Sequence, residues 1–304
     1  MNRYPLTSFP KTTLRPDVVA RHEAHLKALS GDIEGYSKIG SRDQNMYVWL
    51  LRVIENLGLS TVNKHYFDSL AITKTRISMF VVLVDDPVDN VDKRNPALTE
   101  EMLKIPFGLE YINIWKLNTD ERAYLEFAKS LWAKVMKEVK RYPRYRQYQS
   151  AFRFDVEQLL NSVRYSRFVN TSLHAANLTE NKAYGHHSMI VLIQTDLDLM
   201  CSDGFDDNEF GNLREFLYVS QEMASLGNLL GTYTREIEER DMSSGVFLRL
   251  KDKETLEKDL KNEWRKKYKL AQKLAKNIKS IDGDMFMKQI EFVQEVYQMK
   301  ADDW

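Results

Sequence analysis

A single cysteine, Cys201, occurs in the 304 residues. That excludes an internal disulfide and any zinc site built on several thiolates. Proline is scarce: there are seven, none beyond Pro143, and glycine numbers only 12. The chain therefore has few of the residues that interrupt helices. An excess of either charge is missing too, because 44 basic side chains meet 44 acidic ones. A nucleic-acid partner, normally met by a basic surplus, is not expected. The longest strictly apolar runs, 46–51 and 79–84, fall far short of the roughly 20 residues that span a bilayer, so no membrane span is expected. The opening MNRYPLTSFPKTTLRP has no apolar stretch typical of a secretory signal, which makes the cytoplasm the expected compartment. Repeats, low-complexity tracts and Pro/Ser-rich linkers are also lacking, so residues 1–304 are expected to form one domain.

What is present is 43% hydrophobic and 29% charged, the proportions of a globular chain. Apolar residues recur at helical spacing over 16–30, 42–57, 64–86, 97–113, 119–141, 145–168, 171–181, 183–201, 207–240, 252–280 and 283–300. No sustained alternation predicts strands. Asp203-Gly204 and Asp282-Gly283 read as turns between helices. Two segments, 77–84 and 189–199, are apolar nearly all round and belong at the centre of a bundle. The charged stretch 251–279 reads as a solvated outer helix with Leu256, Leu260, Trp264, Tyr268 and Leu270 on or near its buried face. The fold class is all-α.

Two oxygen-rich constellations carry the functional signal. Asp85-Asp86-Pro87-Val88-Asp89 ends the apolar run, and on a helix these carboxylates three and four apart would share a face. Three carboxylates at the mouth of an apolar helix repel one another unless divalent cations neutralise them, and hard oxygen donors suit Mg²⁺. Pro87 disfavours helical backbone at Asp86, so a helix end or kink is expected there, turning Asp89 away. The plainer reading is an acidic helix end, with Asp92, Lys93 and Arg94 paired on the surface. Asn228, Thr232 and Glu236, spaced by four, form a slanting row of amide, hydroxyl and carboxylate that can hold a second hard ion. Gly227 and Gly231 beside that row would let a ligand or another helix approach. Here the plainer reading is a polar surface stripe with Glu236 and Arg240 as an i, i+4 pair.

In this order, on helices, the two motifs resemble the DDxxD and (N/D)Dxx(S/T)xxxE motifs of the class I terpene synthases, microbial single-domain type. Arg235 before the Glu and Tyr233 after the Ser/Thr position extend the match, whereas Leu229 stands where Asp is common. The resemblance implies an α-helical bundle with central helices around an apolar active-site cavity. It implies three Mg²⁺ ions, with Mn²⁺ as a substitute, held by Asp85, Asp89 and their neighbour Asp86 on one side and by Asn228, Thr232 and Glu236 on the other. It implies a linear prenyl diphosphate as substrate: farnesyl diphosphate first on family frequency, geranylgeranyl diphosphate next. The reaction would be ionisation of the C–O bond and cyclisation of the carbocation, a carbon–oxygen lyase activity with release of diphosphate. Lys182 stands at the family's basic sensor, near Gly185 at its helix break, with Arg235 as a second diphosphate ligand and Arg164 or Arg167 as substitutes. His186 and His187 read as ordinary helix histidines. Phe80, Tyr184 and Tyr233 are the expected pocket aromatics, followed by Trp49, Phe152 and Trp115. The family's C-terminal Arg-Tyr pair is absent, with Tyr297 and Lys300 as stand-ins, and homodimers are common in the family.

Two other readings compete. A chain-elongating prenyl diphosphate synthase would carry a second DDxxD, and the FDDNE containing Asp206, Asp207 and Glu209 lacks its spacing. A non-catalytic helical scaffold would need neither metal nor cavity.

Overall fold

Short polar side chains start many of the helices. Asn118 accepts a hydrogen bond from the Glu121 amide while the Glu121 carboxylate accepts from the Asn118 amide, a reciprocal cap that starts one helix. Asn95, Asn177 and Asp252 accept from amides three residues on, and Pro96 occupies a first helical position where its missing N–H costs nothing. The computed structural model describes residues 16–89 and 94–299. Asp92, Lys93 and Lys300 lie outside the described residues.

Twelve α-helices are present among the described residues: α1 (Pro16–Ser37), α2 (Met46–Ile54), α3 (Phe67–Asp89), α4 (Pro96–Met102), α5 (Thr119–Val139), α6 (Tyr145–Thr171), α7 (Leu178–Tyr184), α8 (Val191–Met200), α9 (Phe210–Glu238), α10 (Val246–Arg249), α11 (Lys253–Ala275) and α12 (Gly283–Met299). The only β-type pairing among them is one isolated bridge between Val62 and Ser202. The described residues form a single all-α helical domain. Helix α3 packs against α1, α2, α4, α5, α6 and α8. All ten residues of α8 are buried. The two segments expected at the centre are therefore there. A smaller apolar cluster joins α9 and α10 to Leu256 and Leu260 of α11. Leu270, expected near the buried face of α11, is 42% exposed. No helix among the described residues is long and apolar enough to cross a membrane.

Three expectations are corrected. The helix predicted over 97–113 ends at Met102. After it comes a short 3-10 turn at Ile105–Phe107, stopped by Gly108 in the left-handed region at φ 61°. The helix predicted over 183–201 is broken: Gly185–Met189 is 3-10, and Ile190 takes a left-handed φ of 49° before α8 begins. A branched side chain rarely adopts that conformation. Helix α3 does not end at Pro87 but continues to Asp89. Pro87 cannot donate to the carbonyl of Leu83, and the Tyr124 hydroxyl donates to it instead at 3.0 Å.

Candidate active site

The last turns of α3, α6 and α9 meet. Arg94 stitches them together: its guanidinium donates to the carbonyls of Val88 and Asp89, of Asn170, and of Arg240. Asn170 adds hydrogen bonds to the Val88 carbonyl and to the Asp241 carboxylate. Three helix C-termini, each carrying partial negative charge, therefore face one region. Arg94, read from sequence as a surface partner, is instead the clamp of this junction.

Beside the junction lies a cavity of about 220 Å³. On α3 it is lined by Ser78, Val81, Val82, Asp85 and Asp89, a single face at spacings of three and four. On α9 it is lined by Asn228, Leu229, Arg235 and Glu236, among others. Asp85 and Asp89 thus share one cavity with Asn228 and Glu236, from far-apart parts of the chain. Thr232, 1% exposed, donates to the Asn228 carbonyl at 3.0 Å and sits behind the lining. Gly227 and Gly231 admit a helix rather than a ligand. A Cβ on Gly231 would stand 2.8 Å from the Tyr297 carbonyl oxygen, and one on Gly227 would meet Gln294, both on α12.

A further carboxylate, Asp241, lines the same cavity. Helix α9 closes with the Arg240 amide donating to Ile237 and the Asp241 amide donating to Glu236, with Arg240 left-handed at φ 54°. Glycine normally fills that position. Arginine there gave the sequence no sign that the chain turns back to deliver Asp241. Its carboxylate accepts from Asn170 and from the Ser243 amide and hydroxyl.

Negative charge dominates. Burial pushes the Asp85 carboxyl up to about 7, opposed by Arg42 and reinforced by Asp86, Asp241 and Glu236. Burial and Glu236 likewise raise Asp241 to about 7. Asp89 is held well above the ordinary carboxylate range by burial, Asp241 and Asp85. The cations lining the cavity are Arg42, Arg235 and Arg249. Arg235 is paired with Glu236 at 2.7 Å and Arg249 with Glu263 at 2.6 Å.

The other expected site residues are elsewhere. Asp86, one residue on from Asp85, points away from the cavity and is held by Tyr36, Ser41 and Arg42. Lys182 is 54% exposed and pairs with Glu263 at 3.3 Å, so Arg249 takes the cavity side of that carboxylate. Arg164 and Arg167 bond Asn161 and Glu100. Phe80 is fully buried against Trp132 with ring centroids 4.7 Å apart. A step of five turns a helical side chain about 140° from Asp85, which is why Phe80 misses the wall. Tyr184 lies against Tyr165 at the surface, and Tyr233 hydrogen-bonds Glu257 under α11. Phe152 stacks on Trp132, and Trp115 is 70% exposed. His186 and His187 are buried beside Tyr218. Of the expected aromatics Trp49 lines the cavity, joined by Tyr297, their rings 6.2 Å apart.

The donor set is all hard oxygen and fits Mg²⁺. Among the described residues no three acidic, histidine or cysteine side chains converge on one ion-sized point. The carboxylates are spread over two walls, an arrangement that suits an ion bound through one or two carboxylates and completed by phosphate oxygens. No protein-family model and no curated protein matches the chain.

Proposed function

We propose that this chain is a class I terpene synthase: a Mg²⁺-dependent carbon–oxygen lyase that ionises a linear prenyl diphosphate and cyclises the resulting cation. The observation that carries the reading is the meeting of Asp85 and Asp89 with Asn228 and Glu236 across one cavity. All four belong to the two oxygen-rich motifs of the sequence.

Asp85 and Asp89 would hold ions on the α3 wall, and Asn228 and Glu236 on the α9 wall, with Thr232 behind Asn228 and Asp241 beside Glu236. Mg²⁺, when bound, supplies Lewis-acid stabilisation of the charge developing on the leaving diphosphate. Arg235 and Arg249 present further positive charge to that anion. The C–O bond breaks heterolytically, the diphosphate keeps the electron pair, and an allylic cation remains in the cavity. Val81, Val82 and Leu229 give that cation apolar wall, and Trp49 and Tyr297 give it aromatic surface. Loss of a proton or capture of water ends the reaction as a hydrocarbon or an alcohol.

Farnesyl diphosphate is the first substrate to try and geranylgeranyl diphosphate the next, on family frequency. The test is incubation with Mg²⁺ and geranyl, farnesyl and geranylgeranyl diphosphates, each alone and then with isopentenyl diphosphate. A volatile terpene from one substrate alone supports the reading. Longer diphosphates formed only with isopentenyl diphosphate indicate chain elongation, and unchanged substrate indicates a non-catalytic protein.

A further inference from the structure

The connection between α1 and α2 lies across the acidic end of α3, and it does so through Arg42. The Arg42 Nε donates to Asp86 Oδ1 at 2.5 Å, and its Nη2 stands 3.6 Å from Asp89 Oδ2. The Tyr36 hydroxyl ties the arrangement together, accepting from the Arg42 amide and donating to Asp86 Oδ2, each at 3.2 Å. The Ser41 hydroxyl adds a longer contact to the same oxygen.

One guanidinium thus touches two carboxylates with different surroundings. Asp86 is buried away from the cavity, and its oxygens are taken by Arg42, Tyr36 and Ser41. Asp89 lines the cavity, and the Arg42 contact to it exceeds hydrogen-bond length. The Nε edge of Arg42 is therefore its fixed end, and the Nη end is its loose one. Arg42 itself lines the cavity that holds Asp85, Asn228 and Glu236. A planar guanidinium held by one edge keeps its remaining donors in a fixed fork, the geometry that matches phosphate oxygens.

Granted the metal and diphosphate reading of the cavity, on which this rests, we propose that Arg42 is a diphosphate-binding residue positioned by Asp86. Without metal, its Nη end neutralises Asp89. When a divalent cation takes Asp89, the Nη end is released toward the anion in the cavity, while Asp86 keeps the Nε edge in place. The two adjacent aspartates then have separate tasks: Asp85 faces the metal, and Asp86 holds the arginine.

Two binding measurements test this without turnover: Mn²⁺ titrated alone and followed by paramagnetic resonance, and inorganic diphosphate titrated calorimetrically in Mg²⁺. Arg42→Gln removes a competitor for Asp89, so Mn²⁺ binds severalfold tighter, while diphosphate binds at least tenfold more weakly. Asp86→Asn frees the Nε edge and lets Arg42 pair fully with Asp89, so Mn²⁺ binds more weakly and diphosphate also weakens. Arg42→Lys keeps the charge but loses the fork, and diphosphate affinity falls between wild type and Arg42→Gln. A merely structural role would move Mn²⁺ affinity the same way in Arg42→Gln and Asp86→Asn. That result, or diphosphate affinity within twofold of wild type in both Arg42 variants, overturns the proposal. If Arg42→Gln loses its helical circular dichroism, Arg42→Lys and Asp86→Asn decide by the same criteria. Wild-type protein that binds neither Mn²⁺ nor diphosphate refutes the reading of the whole cavity instead.

Discussion

The two ends of α3 both bury charge, with opposite outcomes. Near its N-terminal end, Lys74 pairs with Asp198 at 2.6 Å, both almost fully buried. Close by, Glu55 of the segment after α2 accepts from His22 and His25 and lies 3.6 Å from Arg52. His25 meets Glu55 through one ring nitrogen and Asp68 through the other, and burial, which lowers its pKa, is outweighed by these two carboxylates, which raise it. Burial alone would raise the Glu55 carboxyl, but the hydrogen bonds from His22 and His25 hold it at about 2. Each of these charges has a partner. At the C-terminal end, Asp85, Asp86, Asp89, Glu236 and Asp241 cluster about Arg42 and Arg235. Paired buried charge closes a structure. An excess of buried negative charge beside three helix C-termini is what the proposed cation site requires.

Substitutions that remove charge without changing shape break the comparison most sharply, and turnover shows the largest effect. Asp85→Asn and Asn228→Ala are each expected to lower turnover of the accepted prenyl diphosphate by about 10²-fold or more, the scale of losing one electrostatic stabiliser. Full activity in either variant refutes the ligand assignment. Next in size, Glu55→Gln leaves His22, His25 and Arg52 facing an amide and should cost about 3–5 kcal/mol in denaturant unfolding. Asp85→Asn should do the reverse in metal-free protein, stabilising it by on the order of 1 kcal/mol because a carboxylate penalised by burial and by its acidic neighbours is lost. Destabilisation by Asp85→Asn would erase the distinction between the two ends.

The pH dependence follows from the same shifts. Asp85 and Asp241 titrate near 7 in the folded chain against an ordinary value of 3.8, so the folded state binds more protons between those values. Stability of the metal-free protein therefore falls as pH rises from about 4 through about 7. Glu55 acts oppositely: its stabilisation is present above its ordinary value of 4.5 and is lost as pH falls through about 2. His25 is raised from 6.5, so its stabilisation is present below that value and fades as pH rises through its folded pKa. Thermal unfolding should show metal-free protein most stable in mild acid. Added Mg²⁺ should raise the midpoint at pH 8 and leave it unchanged at pH 5, where protons hold the carboxyls. The smallest effect is expected at Lys182. Exposed and paired to Glu263, it should tolerate Ala with turnover within about twofold, whereas Arg249→Ala should lower turnover more.

Helical period and the scarcity of breakers made the all-α architecture legible, because burial on one face leaves a trace in spacing, and the two central segments were legible because they are apolar nearly all round. The same trace identifies the cavity face of α3: Ser78, Val81, Val82, Asp85 and Asp89 keep the three-and-four rhythm, and Phe80 breaks it. Closeness along a helix does not set direction around it. The continuation through Pro87 was illegible because the hydrogen bond that compensates comes from Tyr124 on another helix. Asp241 was illegible because Arg240 occupies a left-handed position with no glycine to mark it. Lys182 and Arg249 both reach Glu263, and only packing decides that Arg249 is the one lining the cavity.

The most direct test of the central claim is calorimetric titration of the protein with inorganic diphosphate, with and without Mg²⁺. If the acidic mouth holds cations for a diphosphate, binding appears only with Mg²⁺ and disappears in Glu236→Gln. Diphosphate binding that ignores Mg²⁺, or that survives in Glu236→Gln unchanged, would contradict it.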